Sequence, residues 1–333
     1  MFDERFLSQP GQPEICTQLS ACIPNFSQLS SADANFFRAS FQGEELCYAH
    51  SWLYLLRAAR NDHGGLGYKF VGNDMVASIG YRDHSFYIVH PAGKRRYDEL
   101  IDLCMRIYNV YRGPIILKKV DQQLYAQLTE KQAFFIDGSG REFFEEEAFP
   151  EHILQLERLF APTAEMKQSL QPFLKKVQRF ERQTKLWAVP NVAWKEIESN
   201  PGFQAVLGYS SDKYKSYMQI LQEASSARGA DSRYRFCAYY DERATIHGLY
   251  VSELFQEGIM GLYCAVSARS FPGVTEWMDY DFFQQLFNEG IHTLYLGGSE
   301  TEGVHGYVQK LLPVVPSYLM RPLLIHRAGH QLD

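Results

Sequence analysis

The sequence has no cysteine pair at the spacing of a metal knuckle or a redox motif. Its six cysteines, at positions 16, 22, 47, 104, 237 and 264, contain no CxxC, which predicts a reduced, cytoplasmic protein with no disulfide framework and no metal centre. No apolar run approaches the roughly 18–20 residues that cross a bilayer as a helix, so no integral membrane contact is expected. The start, Met1-Phe2-Asp3-Glu4-Arg5, is acidic and has no apolar stretch of the signal-peptide kind. There is no GxxxxGK[ST] phosphate loop and no GxSxG nucleophile elbow. Nor is there an excess of positive charge: 33 Lys and Arg stand against 39 Asp and Glu, a net charge of −6, which excludes a generally basic nucleic-acid coat. The deficit lies in the first half. Residues 1–165 hold 22 acidic and 16 basic side chains and residues 166–333 hold 17 of each, so an anionic partner is expected on the second half or at the seam.

What is present is enough for two ordinary domains: 333 residues, 46% hydrophobic and 22% charged. Aromatic residues make up 14%, which favours grooves or stacking surfaces besides cores. The sequence then repeats its own order of elements. In the first half a helix over residues 44–60 precedes strand-like runs at 67–71, 75–81 and 85–90. A helix over 97–111, with Leu100, Leu103, Cys104 and Ile107 on one face, leads to a buried strand at Ile115-Ile116-Leu117. In the second half a helix over 213–228 precedes strands at 233–240, 244–254 and 260–268. A helix over 279–288 stops at Gly290 before a strand at 292–296. Each copy therefore reads helix, three-strand meander, helix, strand. The domains are expected at 1–160 and 191–333, joined by a basic helical connector at 161–190.

One segment carries most of the chemical signal: Leu294-Tyr295-Leu296-Gly297-Gly298-Ser299-Glu300, followed by Gly303, Tyr307, Lys310 and Pro313. A strand running into two glycines lets a ligand approach the main chain, and Ser299 or Thr301 can cap the next helix so that its amides face that ligand. The first copy has Lys118-Lys119-Val120-Asp121 at this place, with no glycine, so it is expected to shape the cleft without catalysing.

This element order, duplicated, together with the strand–Gly-Gly-Ser–helix segment, resembles tandem N-acetyltransferase-like (GNAT) proteins. More narrowly it resembles the Fem-type aminoacyl transferases and the C-terminal domain of phosphatidylglycerol lysyltransferases. The resemblance implies two α/β domains, each a mixed, mainly antiparallel sheet flanked by helices, and transfer of an acyl group to an amine. Acetyl-CoA users of the superfamily carry an amide-rich pyrophosphate loop where this chain reads Ala268-Arg269-Ser270-Phe271-Pro272-Gly273-Val274-Thr275. Pro272 removes an amide from that cradle. The reading therefore favours an aminoacyl-tRNA donor, with acyl-CoA or an acyl carrier protein as the alternative and no resident cofactor. A silent module that senses a small molecule is the reading from another class.

Aminolysis of an activated ester needs positioning, proton removal and oxyanion stabilisation. Glu253, near the end of a central strand, is the expected base, with Glu276 and Glu300 as rivals, and Tyr307 is the expected proton donor. Arg269 and Lys310 are candidates to neutralise a carboxylate or phosphate. Gly273, Thr275, Gly297, Gly298 and Ser299 complete the expected substrate site. Lys175, Lys176, Arg179, Arg182 and Lys185 in the connector offer phosphate contacts to a tRNA. The acceptor is expected to be a small-molecule or peptide amine. Cys47 and His50 form a formal Cys/His pair that reads as buried, and His326 and His330 read as tail.

Overall fold

The computed structural model describes residues 12–42, 44–60, 66–82, 85–94, 96–111, 113–131, 135–137, 150–207, 215–227, 233–268, 272–298, 302–314 and 321–325. The chain begins with α1 (Gln12–Cys22), β1 (Phe26–Gln28), α2 (Ala34–Ser40) and α3 (Trp52–Ala59). The first meander follows as β2 (Tyr68–Val71), β3 (Val76–Arg82) and β4 (Ser85–Ala92), then α4 (Arg96–Val110), β5 (Ile115–Val120), α5 (Gln122–Lys131) and β6 (Phe135–Asp137). Next come β7 (His152–Gln155), α6 (Leu156–Phe160), α7 (Ala164–Gln183), β8 (Trp187–Pro190), α8 (Trp194–Glu198), α9 (Pro201–Leu207) and α10 (Lys215–Ala227). The second meander is β9 (Tyr234–Tyr240), β10 (Ile246–Gln256) and β11 (Ile259–Ser267), followed by α11 (Val274–Asn288), β12 (Thr293–Gly297), α12 (Glu302–Val308) and β13 (Arg321–Ile325).

Local chemistry accounts for most of these boundaries. Leu100, Leu103, Cys104 and Ile107 of α4 are buried, at the spacing of one helical face. Strands β4 and β5 are buried at every position, as expected of strands covered on both faces. Gly290, at φ +88, follows the end of α11, in the left-handed conformation that commonly stops a helix. The expected helix over residues 44–60 is shorter. Ser51 is extended and its side chain accepts a hydrogen bond from the Tyr54 amide, so the helix starts at Trp52 and residues 48–50 form a separate 3-10 turn.

The two sheets have the orders β1-β2-β3-β4-β5-β13-β6 and β7-β12-β11-β10-β9-β8. Each is antiparallel except for one parallel pair, β4 with β5 and β11 with β12. The copies exchange strands across the boundaries expected from sequence. Strand β7 precedes the second copy's helices but pairs with β12, and β13 lies between β5 and β6 in the first sheet. The connector is likewise built into the second copy, because α7 buries Leu170, Phe173, Val177 and Phe180 in the core that it shares with α11. A third core joins the copies, with Trp52, Leu55 and Val89 of the first packed among Phe236, Leu249, Val251 and Tyr263 of the second. Among the described residues no helix is long and apolar enough to cross a membrane.

Candidate active site

Strands β11 and β12 pair from Ile259 opposite Thr293 to Gly261 opposite Tyr295, and there the pairing ends. Beyond that point a cavity of about 200 Å³ opens, lined by Leu262, Tyr263 and Ala265 of β11 and by Leu296, Gly297 and Gly298. The first copy closes it with Tyr48, Tyr54, Arg57 and Lys119. Gly297 is left-handed, at φ +74, and a Cβ there would meet the Tyr48 ring at 3.2 Å. The glycine is thus required twice, by its backbone and by its neighbour.

The wall is held by a buried ion pair. Lys119 Nζ donates to Glu151 Oε1 at 2.9 Å and lies 5.6 Å from the Tyr54 ring centroid. Glu151 Oε2 accepts from the Tyr48 amide at 3.1 Å, and the Tyr48 hydroxyl donates to the Leu262 carbonyl at 3.0 Å. Burial pushes the Tyr48 and Tyr263 phenols up, and the nearby Arg57 charge opposes that shift at both. The cavity therefore combines left-handed main chain and the Tyr263 phenol on one side with the side chains of Arg57, Lys119, Tyr48 and Tyr54 on the other. Such a wall suits a carbonyl whose oxygen becomes negative, or a substrate carboxylate or phosphate.

Of the residues expected from sequence, Gly297 and Gly298 line this cavity. Glu253 is 1% exposed and does not line it. Its Oε1 accepts from Arg38 Nη2 at 2.9 Å, and its Oε2 accepts from Ser51 Oγ at 2.9 Å and from the Leu53 amide at 3.2 Å. Burial raises its pKa, and Arg38 is the largest opposing influence. A second-copy carboxylate thus caps the N-terminus of α3, the helix that carries Tyr54 and Arg57. Tyr307 donates to Asp279, which also accepts from the Tyr250 hydroxyl at 2.6 Å. Burial pushes the Asp279 carboxyl up to about 6 against the pull of both phenols. Lys310 Nζ lies 6.0 Å from the Tyr307 ring centroid.

At the start of α11, Gly273 is left-handed, at φ +88. Thr275 Oγ1 lies 2.7 Å from Ser267 Oγ, and Glu276 pairs with Lys176 of α7. Lys175, Lys176, Arg179, Arg182 and Lys185 are all exposed. Arg269, Ser299 and Glu300 lie outside the described residues, as do Thr301, His326 and His330.

No protein-family model matches the sequence, and no curated protein matches it either. Solved structures match nearly the whole length. A conserved protein of unknown function from Bacteroides thetaiotaomicron superposes with a TM-score of 0.69 at 13% identity, over 91% of this chain and 99% of that one. L-PGS from Bacillus licheniformis gives 0.59 at 12%, over 92% and 94%. A tandem GNAT protein from the clavulanic acid biosynthesis pathway gives 0.51 at 8%, over 92% and 99%. The chain has a tandem GNAT fold.

In that fold the parted parallel pair of the second copy is where the cavity lies, and the Gly-Gly motif marked it. The first-copy half of the wall was not marked. Tyr48, Tyr54 and Arg57 follow no motif, and Lys119 entered only as the counterpart of the glycine segment. One signal could have found it: matching the two parallel pairs strand by strand sets Ile115 against Thr293 and hence Lys119 against Gly297.

Proposed function

We propose that this tandem GNAT protein transfers an aminoacyl group from aminoacyl-tRNA to the amine of a small molecule or peptide, forming an amide. The observation that carries the reading is the cavity between the parted strands, with Gly297 and Gly298 facing Arg57 and Lys119. At about 200 Å³ it is smaller than the roughly 300–1,000 Å³ of pockets that enclose a whole drug-sized ligand. It suits the acyl end of a donor whose bulk stays outside.

In this reading the ester carbonyl lies against Gly297-Gly298, and the cations of Arg57 and Lys119 stabilise its developing oxyanion. The same cations disfavour an ammonium beside them, so the acceptor attacks as the free amine. The amine nitrogen bonds to the carbonyl carbon, the ester C–O bond breaks, and the ribose oxygen leaves as a hydroxyl with the proton that the amine nitrogen loses. Glu253 acts through α3, holding Tyr54 and Arg57 in place. The exposed basic face of α7 supplies phosphate contacts. Support for the donor class comes from the strand–Gly-Gly-Ser–helix segment, which resembles the Fem-type transferases, and from the loop around Pro272, where a coenzyme A pyrophosphate would lose an amide.

Incubation of the full chain with charged tRNA pools and a panel of amines tests this directly. Release of an aminoacyl group from tRNA into an amide, dependent on the protein, is the expected result. Consumption of acetyl-CoA or another acyl thioester while every tRNA stays charged would overturn it.

A further inference from the structure

Behind Tyr48, away from the cavity, Cys47, His50 and His90 are buried together, and one donor atom from each lies within 4.8 Å of the other two. Cys47 and His50 flank one turn, with the His50 amide bonded to the Cys47 carbonyl at 3.1 Å. His90 enters from β4 at φ +44. Both imidazoles are 4% exposed.

The His50 ring stacks on Phe41 and meets His90 edge-on, but ring nitrogens of both histidines are left without hydrogen bonds. His90 Nδ1 lies 3.2 Å from the Lys119 carbonyl. A carbonyl can only accept, so Nδ1 carries the proton and the Nε2 of a neutral ring presents its lone pair. That lone pair faces Glu44 Oε2 at 3.6 Å, and the same oxygen lies 3.8 Å from His50 Nε2. Both distances are too long for hydrogen bonds. Neither His90 Nε2 nor either nitrogen of His50 has a hydrogen-bond partner. Glu44 is itself fixed, since its Oε1 accepts from the Gly93 amide at 2.7 Å, and Arg96 Nη1 stands 4.0 Å from its Oε2. Glu44 thus faces two buried imidazoles with a hydrogen bond to neither. Bonds of about 2.0–2.2 Å from nitrogen and oxygen to zinc place neighbouring tetrahedral ligands roughly 3.3–3.5 Å apart, so Glu44 Oε2, at 3.6 and 3.8 Å from the two rings, needs only a small closure to join them.

We propose that Cys47, His50 and His90, whose donor atoms converge, bind one divalent transition-metal ion, zinc by their donor chemistry, and that Glu44, whose Oε2 faces both imidazoles, closes on the ion as the fourth ligand. Two imidazole nitrogens, one thiolate and one carboxylate make a borderline-soft set that suits zinc and not calcium or magnesium. The thiolate and carboxylate cancel the charge of the ion, which makes it compatible with burial. The Cys47 thiol gives its proton to the buffer as the sulfur binds. The bond from His90 Nδ1 to the Lys119 carbonyl is the outer contact that orients a metal-bound imidazole. Four protein donors close the site, so the ion is structural. It ties the turn before Tyr48 to the strand end at Lys119, and both residues line the acyl cavity. The cleft lined by Glu44, His90, Gly93, Arg96 and Asp121 gives the ion a path in.

The test uses the full chain, stripped with a chelator, dialysed, and titrated separately with zinc and cobalt(II). We expect one ion per chain by elemental analysis and a higher melting temperature on reloading. The cobalt form should show thiolate charge-transfer absorption that Cys47→Ser abolishes, and His90→Gln should weaken binding at least 10-fold. Circular dichroism of both variants checks that they fold, and the stripped and reloaded wild type does not depend on them. Absence of stoichiometric binding would overturn the proposal, as would a cobalt spectrum that neither variant changes. Proton-coupled nitrogen spectra showing His90 as a metal-free imidazolium at neutral pH would also overturn it. The result is independent of whether the protein transfers an aminoacyl group.

Discussion

Lys119 and Gly297 occupy the same position in the two copies and meet at the same cavity. Each lies four residues after the first paired residue of the parallel strand that follows the long helix of its copy, Ile115 or Thr293, and past the end of that pairing. Each is left-handed, at φ +56 and φ +74. The duplicated backbone keeps its bend in both places, but one copy fills the bend with an ammonium side chain and the other leaves it bare. The site is therefore asymmetric by side chain, on a backbone that is symmetric by fold.

Gly297→Ala separates the two demands on that position. The left-handed backbone costs an L-residue about 1–2 kcal/mol, and the added methyl meets the Tyr48 ring. We expect a lower denaturant midpoint and a large loss of transfer activity. Adding Tyr48→Leu should relieve the steric part and recover some of the midpoint. A variant that keeps both its midpoint and its activity would show that the close approach does not matter.

Glu253 and Arg38 distinguish an anchor from a base. Removing either partner of a buried pair costs about 3–5 kcal/mol. As an anchor of α3, Glu253→Ala and Arg38→Ala should lose stability and activity together. Their double variant should lose much less than the two effects added. A base would behave otherwise: Glu253→Gln would cut turnover by about 10²–10⁴ at unchanged melting temperature, while Arg38→Ala would leave turnover largely intact. Urea unfolding and initial rates on these variants decide between them.

Asp279 gives the stability a sign with pH. Its carboxyl titrates near 6 when folded, against an ordinary 3.8. Between those values the native chain holds a proton that the unfolded chain has lost, so this contribution to stability is complete below about pH 4 and lost as pH rises through about 6. Its size is about 3 kcal/mol. Asp279→Asn should flatten the pH profile of the urea midpoint over that window, read as wild type minus variant. A difference that grows with acid in the opposite sense would refute the assignment.

The basic face of α7 bears on the donor. Lys175, Arg179 and Arg182 are exposed, so replacing them with Gln should change stability by no more than about 0.5 kcal/mol. If the three contact tRNA phosphates, the slope of log affinity against log salt should fall by roughly 2–3. Filter binding at several salt concentrations measures it. An unchanged slope would remove this face from the donor site.

The order of elements was legible because its signals are local. The alternation of β2, the one-faced helix α4 and the glycine after α11 each lie within a few residues. Gly297-Gly298 was legible for the same reason. The other wall of the cavity was not, since Tyr48 and Arg57 precede Gly297 by about 240–250 residues, more than the length of a whole domain, and meet it only through the packing between copies. Ser51 broke an expected helix because a cap outranked a continuous apolar pattern. The exchanged strands β7 and β13 were illegible, because a short apolar run says that it pairs but not with what.

The position of β13 sets an order on the making of the molecule. β5 ends at residue 120 and β13 begins at residue 321, so at about 5–20 residues per second the ribosome needs roughly 10–40 s to supply the strand that covers β5. Throughout that interval the first copy carries a bare apolar sheet edge, a template for pairing with any other nascent chain. The exchange that locks the finished protein also makes its youngest form the most vulnerable.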